Sequence, residues 1–119
     1  MKRYCMVNVV NQEFLEEYKE AHLNPWRELL ESIRNAGTRE ELIYIYKNLA
    51  IIFIECEDID QYMEKFANSK VGDKWMKKMA CLLSENDFAD ETGKTKEVTG
   101  GLEKIFDLNQ QLDGKFDQY

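Results

Sequence analysis

The chain contains one histidine, His22, placed four residues after Tyr18 and four before Trp26. Residues four apart on an α-helix project from one side, so a helix here would set imidazole, phenol and indole side by side. Imidazole titrates near neutrality, with an ordinary pKa of about 6.5, and can take or give a proton without costly pre-charging. Tyr18 offers a phenolic donor and acceptor one turn away, and Trp26 and the distant Trp75 offer flat apolar faces. Such faces beside hydrogen-bonding tips suit a sugar ring, whose C–H patches stack on aromatics while its hydroxyls need polar partners. Spacing alone fits a structural histidine among core aromatics better, so spacing does not settle function.

Other chemistries find less support. Gly100-Gly101 is a lone pair after Thr99, without the lysine and the strand-to-helix setting of a phosphate loop. The three cysteines, Cys5, Cys56 and Cys81, lack the short paired spacings of zinc or redox motifs, and no metal is expected. Their simplest role is as buried thiols. The neighbouring carboxylates Glu16-Glu17 and Glu40-Glu41 point in different directions on any regular element and read as solvated.

The elements that must position these groups follow from patterning. Residues 3–10 read as a strand ended by Asn11, which can cap a helix carrying Glu13, Glu16 and Glu17 near its positive end. Phe14, Tyr18, His22, Trp26, Leu29 and Ile33 recur at helical steps and share one face, with a break expected near Leu23-Asn24 ahead of Pro25. Asn35-Ala36-Gly37 ends that helix. Residues 42–46 and 49–56, joined by Lys47-Asn48, predict a hairpin, and Asp58 opens a helix bearing Ile59, Tyr62, Met63 and Phe66. A second helical stretch spans Val71 to Leu83 with Trp75 and Met79; residues 84–99 read as a loop, Leu102 to Leu108 as a last strand, and 109–119 as a polar tail. The order strand, helix, strand, strand, helix, strand is the split βαβ, ferredoxin-like α+β arrangement, an antiparallel sheet with helices on one face. An apolar outer face of that sheet would need a cover, so a homodimer is expected.

With 119 residues, 44% hydrophobic and 33% charged, the chain fits a single folded domain over residues 1–108 plus the tail. A net charge of −7 with scattered bases argues against nucleic acid, and Lys74, Lys77 and Lys78 read as a solvated helix face. No window approaches the roughly 20 apolar residues of a membrane span, and no cleavable leader is legible, so a cytoplasmic location is expected.

Taken together, Glu16-Glu17-Tyr18-x-x-x-His22 and Leu23-Asn24-Pro25-Trp26-Arg27-Glu28-Leu29 resemble the signature of the L-rhamnose mutarotase family, an E-Y-x-x-x-H followed by an N-P-I-W-P-E-L-type run. Gly37, the apolar run ending Ile51-Ile52-Phe53, Trp75 with Lys77 and Met79, and Leu102-Glu103-Lys104-Ile105-Phe106 extend the resemblance over residues 1 to about 108. It implies a dimeric ferredoxin-like α+β barrel that interconverts the α and β anomers of a 6-deoxy sugar such as L-rhamnose without a cofactor. Carried over by position, His22 is the proton donor, Tyr18 binds the sugar and assists proton transfer, and Trp75 is the first of a tryptophan pair bordering the sugar. Trp26 is an added candidate for the sugar's apolar side.

Two positions depart from the family pattern. The second tryptophan of the pair is Met76, and a sugar-contacting tyrosine falls on Glu41, which can bind a hydroxyl instead. Tyr44 and Tyr46 are nearby substitutes, although strand alternation puts Tyr44 on the face opposite Glu41. These departures motivate a second reading: a catalytically inactive small-molecule-binding or regulatory protein that keeps the fold. A cofactor-free or heme-dependent monooxygenase, with His22 as axial ligand in the heme case, rests on fold analogy alone.

Overall fold

The structure is a computed structural model, and it describes residues 1–85 and 102–117. Strand β1 (Lys2–Val10) leads through a 3-10 turn into helices α1 (Leu15–Leu23) and α2 (Arg27–Asn35). Strands β2 (Thr38–Tyr46) and β3 (Leu49–Cys56) follow, then α3 (Ile59–Asn68), α4 (Lys70–Ala80), β4 (Leu83–Glu85) and a short α5 (Leu108–Leu112). The four strands form one antiparallel sheet in the order β2-β3-β1-β4, the expected ferredoxin-like arrangement.

Local chemistry explains where the helices begin and stop. Asn11 caps the opening turn, its side chain accepting from the Glu13 N–H at 3.1 Å. Asn24 and Pro25 separate α1 from α2, as expected where proline lacks a donor and crowds the preceding turn. Asp58 Oδ1 accepts from the N–H groups of Asp60 and Gln61 to start α3. Ser69 both ends α3 and caps α4, accepting from Gly72 N at 3.0 Å while its hydroxyl donates to Phe66 O at 2.7 Å. A Cβ at position 72 would collide with that Phe66 carbonyl oxygen, so glycine permits the tight α3–α4 junction.

Alternation sorts the sheet into two faces. Tyr4, Met6, Asn8 and Val10 of β1 and Ala50, Ile52, Ile54 and Cys56 of β3 are buried under the helices. They pack with Tyr18, Leu29, Ile59, Tyr62, Met63, Phe66, Trp75 and Met79 into one core. In β2 the register shifts between Thr38 and Glu40, so Thr38 pairs with Cys56 while Glu41 pairs with Ile54. Both partners lie on the inner face, so the bulge places Thr38 and Glu41 on the inner face together; regular alternation would put positions three apart on opposite faces.

Two features depart from the expectations. The fourth strand is Leu83–Glu85, paired with Val9 and Val10, and not Leu102 to Leu108. The latter run shares only the Leu102 N–H to Cys5 O bond, 2.7 Å, with β1 among the bonds described, and Ile105 and Phe106 are exposed. An apolar stretch becomes a strand only where an edge accepts its backbone groups over several residues, and propensity does not report that. The other departure is Cys81, which is exposed at the end of α4, whereas Cys56 is buried and Cys5 half-buried; all three thiols are free. The expected tail, 109–119, holds most of α5, which starts at Leu108 and is capped by Asp107 Oδ1 accepting from Gln110 N at 3.0 Å. The predicted loop beyond Glu85 and the pair Gly100-Gly101 lie outside the described residues.

Candidate functional site

A cavity of about 860 Å³ opens between α1, α2, α4 and the bulged start of β2, lined by His22, Leu29, Ile33, Thr38, Glu41, Ile43 and Trp75, with Arg27, Arg34, Arg39 and Glu40 also on its wall. Apolar walls with a few convergent polar groups are the usual make-up of a small-molecule site.

His22 is fixed by its own helix. Its Nδ1 lies 2.7 Å from the Tyr18 carbonyl oxygen, an acceptor, so Nδ1 carries the proton and Nε2 presents a lone pair. The imidazole packs between two rings, 4.3 Å from the Tyr18 centroid and 5.1 Å, edge-on, from that of Trp75. Burial lowers its pKa below 6.5, the hydrogen bond to Tyr18 opposes that shift and the Lys78 ammonium adds to it. The resting group at neutral pH is therefore neutral imidazole.

Glu41 is a second ionisable group on the cavity wall whose environment shifts its titration. The residue is half-buried, yet its Oε1 is sealed from solvent without a hydrogen-bond partner. Among the described residues no lysine or arginine forms an ion pair with it. Desolvation accordingly pushes its pKa from 4.5 to about 7. A buried, unpaired acceptor costs about 1–3 kcal/mol, so this carboxyl is held at a cost that packing alone does not require. Asn8 Oδ1 and Thr38 Oγ1 are likewise buried without partners, at opposite ends of the inner face, Asn8 level with Ala50 of β3 and Thr38 with Cys56.

The remaining candidates sort clearly by position. Tyr18 is 2% exposed and lies behind His22, away from the cavity wall. Burial raises its phenol to about 12, the Asn8 carboxamide pulls it back, and the nearby Glu41 charge raises it further. Tyr62, from α3, is pushed up by burial and then by the same Glu41 charge. Trp75 forms cavity wall, and Trp26 backs it edge-on with centroids 5.6 Å apart. The Lys74 and Lys78 ammonium groups sit 4.7 and 5.1 Å from the Trp26 ring centroid, so two of the lysines expected to be merely solvated cover an aromatic face. Met76 is half-buried against the core and does not line the cavity.

Tyr44 is placed elsewhere: it is 58% exposed on the outer face of the sheet, edge-on to Phe53. The bulge lies before it, so strict alternation from Glu41 onward turns it away from His22. Sequence reading missed Asn8, Thr38 and Tyr62 as neighbours of the site. Asn8 had a signal, being the one polar residue in the buried phase of Tyr4, Met6 and Val10. Thr38 had none, because its inward orientation depends on the bulge.

Comparison with known proteins agrees with this architecture. A family model described as L-rhamnose mutarotase matches residues 3–108. An L-rhamnose mutarotase of Bacillus subtilis (strain 168) is 33% identical over 101 residues, covering 82% of this chain and 96% of the relative. Another, from Oceanobacillus iheyensis, is 26% identical over 101 residues, covering 83% and 94% respectively. The crystal structure of an L-rhamnose mutarotase from Formosa agariphila superposes with a TM-score of 0.68 at 22% identity, covering 91% of this chain and 99% of that one.

Proposed function

The chain belongs to the L-rhamnose mutarotase family, and from that premise we propose that it interconverts the α and β anomers of a 6-deoxy hexose such as L-rhamnose in the cavity bordered by His22, Glu41 and Trp75. The observation that carries this reading is the His22 imidazole, kept neutral by burial and oriented by a 2.7 Å bond from Nδ1 to Tyr18 O, in the wall of a cavity of about 860 Å³. Mutarotation needs no more than proton transfer: the anomeric hydroxyl loses a proton, the ring oxygen gains one, and the open carbonyl recloses on its other face. His22 is the group that moves these protons, Trp75 supplies the flat wall for the C–H side of the sugar, and Tyr18 acts from behind by fixing His22 through its main-chain carbonyl. Saturation-transfer NMR with L-rhamnose, L-fucose and related sugars tests the reading. Protein-dependent anomer exchange in one of them supports it, and no exchange in any favours the binding-protein alternative.

The homodimer belongs to the same proposal. On the outer sheet face Leu42, Tyr44, Tyr46 and Phe53 are 45, 58, 60 and 44% exposed, a contiguous apolar patch of the kind that a second subunit covers. A dimeric mass by light scattering at micromolar concentration is expected, and a monomeric mass would overturn it. None of the described helices is long and apolar enough to cross a membrane.

A further inference from the structure

His22 alone leaves half of the proton traffic without an owner. Opening a hemiacetal moves protons at two oxygens on one carbon, and a neutral imidazole whose Nδ1–H is committed to Tyr18 O has only the Nε2 lone pair to offer the sugar. Among the carboxylates that line the same cavity, Glu41 is the one that the β2 bulge directs inward, with a side-chain oxygen sealed from solvent. Both groups bear on one residue, since the His22 ring lies against the Tyr18 ring and the Glu41 charge acts on the Tyr18 hydroxyl. The Glu41 carboxyl has no ion-pair partner among the described residues and one sealed oxygen without a hydrogen bond.

We propose that Glu41 is the second catalytic residue of this site, working with His22 as a pair that shares one proton across the two oxygens of the sugar's hemiacetal. The inference rests on the mutarotase reading and adds the partner that reading lacks. In ring opening, His22 Nε2 takes the proton of the anomeric hydroxyl O1. The freed electron pair forms C1=O1, the C1–O5 bond breaks with its electrons to O5, and the Glu41 carboxyl delivers its proton to O5. Imidazolium and carboxylate result. After rotation about C1–C2, O5 attacks the other face of the carbonyl and returns its proton to Glu41, while His22 returns its own to O1. The pair ends as it began, with no proton drawn from solvent and no redox partner.

The environment of each group favours this division. Pairs of titratable groups whose surroundings push their pKa values apart mark the acid and the base. Here burial moves His22 down from 6.5 and Glu41 up to about 7, so the shared proton rests on Glu41. The titratable groups that the Glu41 charge reaches are Tyr18 from α1 and Tyr62 from α3; Arg27, Glu31, Arg34 and Glu40 also line the cavity, and Arg39 is paired with Glu55 at 3.6 Å. Neither tyrosine ionises near neutrality, which leaves His22 and Glu41 to set the pH dependence.

The test is anomer exchange of L-rhamnose measured by saturation-transfer NMR on the wild type and on Glu41→Gln, which keeps the shape and removes the titrating proton. The expected result is a fall in kcat of about 100-fold with KM little changed, and loss of the alkaline limb that the wild type shows near pH 7. Glu41→Asp should recover part of the rate. If Glu41→Gln does not fold, Glu41→Met, apolar and of similar length, serves the same comparison. A Gln or Met variant with unchanged kcat, or with only a raised KM, would overturn the assignment and leave the mutarotase reading standing. A wild type inactive on every sugar tried would overturn that reading and the Glu41 assignment with it.

Discussion

Replacing Glu41 by glutamine should change how stability responds to pH, and the magnitude follows from the site. In the folded chain the carboxyl titrates at about 7 instead of 4.5. An acid whose folded pKa is raised contributes its stability fully below the unfolded value and loses it as pH rises through the folded one. At about 1.36 kcal/mol per pKa unit the total is about 3 kcal/mol, of which about 2.5 kcal/mol falls between pH 5 and pH 8. Glutamine has no charge to desolvate and escapes this loss. Urea unfolding at pH 5 and pH 8 should show the variant gaining about 2.5 kcal/mol on the wild type between the two, near 10 °C in Tm for a chain of this size. If the two proteins respond to pH in parallel, Glu41 is not desolvated and the electrostatic account of the cavity is wrong.

Further expectations concern the neighbours. With one histidine in the chain, its imidazole proton signals can be followed without assignment, and the midpoint should lie below 6.5; a midpoint above that value would mean that burial does not dominate. The same shift means that His22 contributes stability above its unfolded pKa and loses it as pH falls through the folded one. Trp75→Phe, which trims the wall facing the sugar, should raise KM more than it lowers kcat in the anomer-exchange assay; an effect confined to kcat would remove Trp75 from sugar binding.

Much of this arrangement was readable in advance, and the exceptions share a cause. The step of four from Tyr18 to His22 to Trp26 placed three rings on one side of a helical segment, and Pro25 marked its break. The apolar runs of β1 and β3 were legible as strands, and the alternation of Tyr4, Met6, Asn8 and Val10 carried a signal for Asn8 that went unread. What escaped was non-local. Leu83–Glu85 is too short and polar to read as a strand, and it becomes one because Val9 and Val10 present an edge to it. Leu102 to Leu108 reads as a strand from its side chains but finds no such run of partners among the described residues. The bulge that turns Thr38 inward beside Glu41 depends on how β2 meets β3, and no residue of β2 announces it. Glu40-Glu41 looked like an ordinary solvated pair because burial, which makes Glu41 chemically useful, comes from elements distant in sequence.

The central claim is that His22 moves protons for anomer exchange, and comparing wild type with His22→Ala in saturation-transfer NMR on L-rhamnose tests it most directly. The account predicts protein-dependent exchange in the wild type and its loss by at least about 100-fold in a variant that still folds. Exchange that survives His22→Ala unchanged would contradict it.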